Sequence, residues 1–323
     1  MRSLLVFLIA CSQPPANELA PDAGSGGSDT PADAPPSQPP PHGWESQKID
    51  QSAMHVIWAS GPKDLYVGGR AIVHSTGDGT WTLATTNPFE DHNEYVSAFW
   101  GSSATDVFAV GTEGNIEHTT GDGVWTEMTR PFDGGGELNA IYGFGPNDIY
   151  AVGEQPNSFV RVWHYDGTSW SIEATPMYVD GGYSIFGANA HDIWIGTGDG
   201  QIIHSTGDGT WQLVDNAVTT QAGLYAMWGT SATDIYAGGE GGALIHCDGT
   251  HWSTRPSLAS TIESIWGPYA IDGDGLVKLD GTKVVTQIVP GAATAFLSVF
   301  GTSASDVDVL GEAGVDDYVI RGP

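Results

Sequence analysis

The sequence is poor in positive charge, in cysteine and in long apolar runs. Lysine and arginine number 10 against 39 aspartates and glutamates, so the formal net charge is −29 over 323 residues. Charged residues make up 15% of the chain, against about 25% in ordinary soluble proteins. The acidity therefore reflects missing cations more than added anions. A chain of this sign is repelled by phosphate backbones and is expected to bind no nucleic acid. Two cysteines, Cys11 and Cys247, are too few for a disulfide-built scaffold. No apolar run approaches the roughly 20 residues of a membrane-spanning helix. Apolar faces of 3.6-residue period are also missing, which excludes helical bundles and helical solenoids. What abounds is glycine, at 45 residues, and tryptophan, at 12. Glycine stands at roughly twice its usual 7%, as expected of many short strands and tight turns.

The chain opens with Met1-Arg2-Ser3, the apolar run Leu4 to Ala10, and Cys11. One cation before seven apolar residues has the form of a short secretory signal. Leu8-Ile9-Ala10-Cys11 resembles the lipobox of bacterial lipoproteins. That resemblance implies cleavage before Cys11, a diacylglycerol on its sulfur, and an exported protein held at the outer membrane or cell surface. Residues 12–41 hold nine prolines and no aromatic or cationic residue. Such a segment cannot bury enough to fold and is read as an extended tether. The expected division is residues 1–10 as signal, 11–42 as lipidated cysteine and tether, and 43–323 as folded domain. With Cys11 acylated, Cys247 is left without a partner for an intrachain disulfide.

The domain is built from an internal repeat. An apolar residue followed by an aromatic recurs at Ile57-Trp58, Phe99-Trp100, Ile141-Tyr142, Ile185-Phe186, Met227-Trp228, Ile265-Trp266 and Val299-Phe300. The aromatics are spaced by 42, 42, 44, 42, 38 and 34 residues, and in all units but the first a glycine follows directly. Six residues after the aromatic stands Asp64, Asp106, Asp148, Asp192, Asp234 or Asp306, each opening an apolar strand. A third strand carries His74, His118, His164, His204 or His246, and a Gly-Asp turn leads to a tryptophan such as Trp81 or Trp211. Four short strands per unit of ~42 residues describe one blade of a β-propeller. Seven starts predict an all-β, seven-bladed propeller. The last unit stops before its tryptophan strand, whereas Gly43-Trp44-Glu-Ser-Gln-Lys-Ile49 supplies one ahead of the first. The N-terminal strand is thus expected to complete the seventh blade, closing the ring as a monomer with no open sheet edge. The sixth unit lacks about five residues of the usual first turn, so Asp272 falls at the +6 spacing by coincidence.

Trp100-Gly-Ser-Ser-Ala-Thr-Asp-Val-Phe-Ala-Val-Gly111 resembles the repeat of the Asp-box (BNR-like) propellers of bacterial exported proteins, many of them lipoproteins. The likeness runs over residues 43–323 and implies the propeller fold. It names no activity, because this fold hosts lectins, sialidases, lyases and scaffolds alike.

The repeated residues have structural explanations. Five histidines at one strand position of five blades lie too far apart to share a zinc ligated at about 2 Å. The aspartates opening the second strands are expected to cap their own turns, and Asp78, Asp122, Asp166, Asp208, Asp248 and Asp280 suit Asp-Gly turns. Ten of twelve tryptophans repeat with the blades, as inter-blade packing does. Candidate function lies where the repeat breaks. Three residues before each inner aromatic stand His55, Ser97, Asn139, Tyr183, Tyr225, Glu263 and Leu297. A ring of unlike, mostly polar groups at the channel mouth is the candidate ligand site. Arg130 and Arg255, each followed by proline after an outer strand, are added to it. No other cofactor is expected, but Glu90, Asp91, Glu94, Asp133 and Glu137 carry the hard oxygens that would suit calcium. The resulting expectation is a non-catalytic propeller that meets a glycan or an envelope or extracellular protein, touching membrane only through its lipid. A glycosidase or lyase at the same mouth, and a pure scaffold, are the competing readings. A sialidase-like site would need convergent arginines and a tyrosine nucleophile supported by glutamate, and no Arg-Ile-Pro motif is present.

Overall fold

A computed structural model describes residues 44–86, 89, 94–129, 136–214, 221–273, 275–280, 283–286 and 293–322. The signal, Cys11, the tether, Arg130, Glu90, Asp91 and Asp133 lie outside the described residues. The fold is a ring of seven four-stranded antiparallel sheets. The innermost strands are Met54–Gly61, Val96–Ser103, Leu138–Gly145, Gly182–Asn189, Leu224–Ser231, Ile262–Trp266 and Ala295–Ser303, defining blades 1 to 7. The seventh sheet takes its outer strand from the N-terminal side: Glu45–Ile49 pairs with Asp316–Arg321, from Glu45 opposite Arg321 to Ile49 opposite Asp317. The buried Asp317 carboxylate also accepts the Met54 N–H at 3.0 Å, tying the seventh blade to the first. In blade 6 the inner hairpin is short, with Trp266 opposite Tyr269. Asp272 ends that second strand instead of opening it, and accepts the Ala259 and Ser260 N–H groups.

The aromatic-glycine pair explains how blades stack. At Gly101 a Cβ would lie 2.7 Å from the Trp58 ring, and at Gly229 it would lie 2.8 Å from Phe186 and 2.6 Å from the Asp234 carbonyl. At Gly101, Gly143, Gly187, Gly229 and Gly301 the glycine lets an aromatic of the previous blade lie against bare backbone. On the outside, the turn tryptophans pack on the preceding blade: Trp125 on Tyr66, Trp211 on Tyr150 and Trp252 on Trp194, at 5.7–6.2 Å between ring centroids. Such pairs add about 0.5–1.5 kcal/mol each beyond their area.

The repeated aspartates act differently from the expected turn caps. Five of the six bond the histidine of their own blade, His74 to Asp64, His118 to Asp106, His164 to Asp148, His204 to Asp192 and His246 to Asp234, at 2.6–2.9 Å. Where a hydroxyl stands four residues earlier, it donates to the second oxygen, as Ser60, Ser102 and Thr230 do. The imidazole stacks on the residue two after the aspartate, for example Tyr66 at 4.2 Å and Tyr150 at 4.3 Å. Blade 7 puts Asp308 where the other blades put that aromatic, and Arg321 opposite it donates Nε–H at 2.9 Å. An ion pair there replaces a ring stack. The Asp-Gly turns agree with expectation: Asp78, Asp122 and Asp208 accept N–H groups two residues on, and Gly79, Gly123 and Gly209 sit at φ 82–86°.

One core position is electrostatically frustrated. Glu117, 2% exposed, occupies a third-strand site filled by Val73 and Ile203 in blades 1 and 4. Among the described residues its Oε2 has no hydrogen-bond partner, and burial, with Glu127 adding to it, pushes its pKa up to about 7.

Two stability predictions follow from this packing. Gly229→Ala forces a methyl against Phe186 and is expected to cost about 1–3 kcal/mol in chemical denaturation, so an unshifted midpoint would contradict the stacking account. For Glu117 the folded pKa, about 7, lies above the ordinary 4.5 of the unfolded chain. Folding therefore favours the protonated acid, and this contribution, present below 4.5, is lost as pH rises through 7. Glu117→Gln is expected to raise stability at pH 8 by roughly 2 kcal/mol, with little change at pH 4; melting curves at the two pH values test the sign.

Candidate functional site

The candidate site is made by a backbone irregularity repeated in every blade. In blade 1, Met54 pairs with Gly69 and Val56 with Gly68, so His55 is an extra residue. The same shift makes Ser97, Asn139, Tyr183, Tyr225, Glu263 and Leu297 the extra residues of their strands. A β-bulge re-aims a side chain that alternation would otherwise assign to a sheet face. In blades 1, 2, 3 and 5 the second strand meets the bulge with glycine where approach is closest: a Cβ at Gly69, Gly111, Gly153 or Gly239 would lie 1.8–2.1 Å from the carbonyl just ahead of the first strand. All seven residues line one central cavity of about 430 Å³. Deeper in it stand the inner aromatics, among them Trp58, Tyr142, Trp228 and Trp266. Sequence reasoning found the ring by its loss of apolar character; the bulge that causes it leaves no mark in a single unit.

The ring is chemically lopsided. His55 packs edge-on to Tyr95 at 5.4 Å, and desolvation by the channel walls pushes its pKa down, keeping the imidazole neutral. Asn139 donates to the Gly182 carbonyl at 3.0 Å and so links blades 3 and 4. Tyr183 and Tyr225 meet at 5.3 Å with planes at 65°. The Tyr183 hydroxyl donates to Glu154 Oε2 at 3.4 Å. Burial, then the charges of Glu154 and Asp180, pushes the Tyr183 pKa up to about 12. Tyr225 moves the same way through burial and the charges of Glu240 and Glu263. Glu154 is itself raised, by burial first and Glu137 second. The mouth over blades 3 to 6 thus joins two phenol rings to a set of carboxylates.

Other candidates are placed elsewhere. Arg255 is not among the cavity residues; its guanidinium reaches back to His246 Nδ1 at 2.7 Å, on the outer part of blade 5. Of the calcium candidates, Glu94 accepts from Asn115 at 3.3 Å and Glu137 adds charge beside Glu154. Among the described residues, no three His, Cys, Asp or Glu side chains converge as metal ligands. Cys247 is buried in the core of blade 5, where its sulfur accepts the Gly249 N–H at 3.4 Å. The Ser102-Asp106-His118 constellation at the opposite rim is not a nucleophilic triad. Its carboxylate stands between hydroxyl and imidazole, whereas activation of a serine requires the imidazole in the middle.

No family model matches the sequence, and no curated protein matches it. Its fold is similar to that of solved propellers. A structure of YCF48 bound to D1 peptide has a TM-score of 0.68 at 14% identity, covering 87% of this chain and 97% of that one. YCF48 from Cyanidioschyzon merolae gives 0.65 at 15% identity, covering 87% and 98%. The WD40 repeats of RRP9 give 0.66 at 11% identity, covering 88% and 99%. At these identities the likeness is one of fold.

Proposed function

We propose that this protein is a non-catalytic binding propeller that holds a segment of a protein partner at its channel mouth. The observation that carries the reading is the bulge in every blade, which turns one unlike residue per blade into a single cavity of about 430 Å³. That volume lies within the usual range for ligand sites, roughly 300–1,000 Å³. The occupant class is supported by a structural neighbour being YCF48 bound to D1 peptide. The proposal includes export and tethering through Cys11, on the strength of the lipobox-like Leu8-Ile9-Ala10-Cys11 and the proline-rich spacer, in keeping with the Asp-box-like repeat.

One observation favours a second reading. Tyr183 donating to Glu154 has the residue types that a sialidase-like glycosidase would use as nucleophile and support. The electrostatics weigh against it: a nucleophilic phenol needs a lowered pKa, whereas Tyr183 is held protonated up to about 12. Arg255, one of the two arginines placed at the mouth from sequence, is committed to His246 instead. A glycan as a mere ligand would find stacking surface on Tyr183 and Tyr225, but its neutral hydroxyls would leave the carboxylates uncompensated.

A photo-crosslinking amino acid at Ser97 is expected to yield a discrete protein adduct in the native cell, with none from Lys63 at the opposite rim. Equal adducts at both positions, or a carbohydrate adduct alone, would refute a protein partner at the mouth. Fatty-acid labelling is expected on the wild-type chain and absent from Cys11→Ser; label on both would remove the lipid anchor from the proposal.

A further inference from the structure

The mouth has a sign, and the sign selects a chemistry. We propose that the sector of the channel mouth over blades 3 to 6 is a pocket for a lysine or arginine side chain of the bound segment. The inference rests on the partner-binding reading above and names what that site recognises.

Three observations converge on it. First, the aromatic surface is in place: Tyr183 and Tyr225 stand at bulge positions of adjacent blades as an edge-to-face pair 5.3 Å apart, and both line the cavity. Cations are attracted to such faces, by about 0.5–2 kcal/mol as desolvation increases.

Second, carboxylates surround those rings. Glu154 touches the Tyr183 hydroxyl, and Asp180 borders the same ring. A Cβ built at Gly198 would lie 2.8 Å from Asp180 Oδ2 and 2.9 Å from the Tyr183 ring, and one at Gly181 would lie 2.9 Å from Glu154 Oε2. Asp180 and Glu154 therefore stand close to the Tyr183 ring. The charges of Glu240, Glu263 and Asp180 act on Tyr225. Among the described residues no lysine or arginine pairs with Glu154, Asp180, Glu240 or Glu263. Arg70 exerts its charge on His55, across the ring in blade 1. The raised pKa of Tyr183 and Tyr225, each partly caused by these neighbouring charges, fits a negative potential at this place.

Third, the alternatives fit less well. A metal ion needs several oxygens at ligand distance, and no three acidic or imidazole side chains converge among the described residues. A neutral sugar leaves the charge in place. A lysine or arginine supplies the opposite charge at its tip and an apolar stem for the tyrosine faces, and the cavity continues inward to Trp228 and Trp266.

The test is a phage-displayed random dodecapeptide library selected on the folded protein, with Tyr225→Ala and the pair Glu154→Gln/Glu263→Gln as counter-screens. Expected are peptides enriched in lysine or arginine that lose binding tenfold or more on both variants. Replacing the selected arginine by citrulline, which keeps shape and removes charge, is expected to cost at least tenfold as well. The pair Glu45→Gln/Glu127→Gln, on exposed outer strands, removes the same charge away from the mouth and is expected to leave affinity unchanged. Equal loss in that control would reduce the effect to net charge and overturn the pocket. Peptides that need the mouth but carry no cation would overturn the cation inference and leave partner binding standing. Peptides indifferent to every mouth variant would overturn both. Unchanged melting curves of the variants separate these outcomes from misfolding.

Discussion

Ring closure is the constraint on which everything else depends. A four-stranded sheet has two edges, and seven of them form a channel only if the last is bound to the first. The bond is made by Glu45–Ile49 lying along Asp316–Arg321, by Asp317 on the Met54 N–H and by Gln47 on the Gly79 carbonyl. Trp44 adds packing, its ring lying against Gly322 as inner aromatics lie on glycine elsewhere. Each of the seven bulge residues comes from a different blade, so the cavity they line together exists only in the closed ring. The channel is therefore only as well defined as the seam between the two ends of the domain.

The two rims use the same residue type for opposite ends. At the far rim each repeated aspartate has a donor in place, an imidazole in five blades and a hydroxyl in several of them. Charge there is absorbed into structure. At the mouth, the donor to Glu154 among the described residues is a phenol, and the neighbouring acids push one another and the tyrosines toward their protonated forms. Carboxylates are neutralised at one end and left available at the other. A net charge of −29 thus says little until it is divided between the rims.

Blades 6 and 7 show how far the repeat tolerates change. The shortened hairpin of blade 6 moves Asp272 from the start of a strand to its end, where it binds loop amides. In blade 7 the aromatic-histidine stack becomes Asp308 with Arg321. Full burial pushes the Asp308 pKa up to about 6 even with that partner. Both departures keep the ring and alter only how one blade is braced.

The architecture was readable in the chain itself, because a repeat states its packing rule many times over. Aromatic-glycine, Asp at +6 and the turn tryptophan recur with the spacing of a blade, and the stray strand at Trp44 announces closure. The ring of unlike residues from His55 to Leu297 was visible for the complementary reason, as the place where repetition lapses. Three things were not readable. That each ring residue is a bulge depends on strand register, which only the partner strand reveals. That the aspartates bond histidines 10 to 16 positions later, besides hydroxyls of their own turns, depends on the third strand folding back beside the first hairpin. That Arg255 leaves the mouth while Glu154, from a second strand, joins it depends on side-chain direction. Local rules repeat along a sequence and can be counted there; the meeting of residues from separate blades is a property of the closed ring, and the chemistry of the mouth arises only from that meeting.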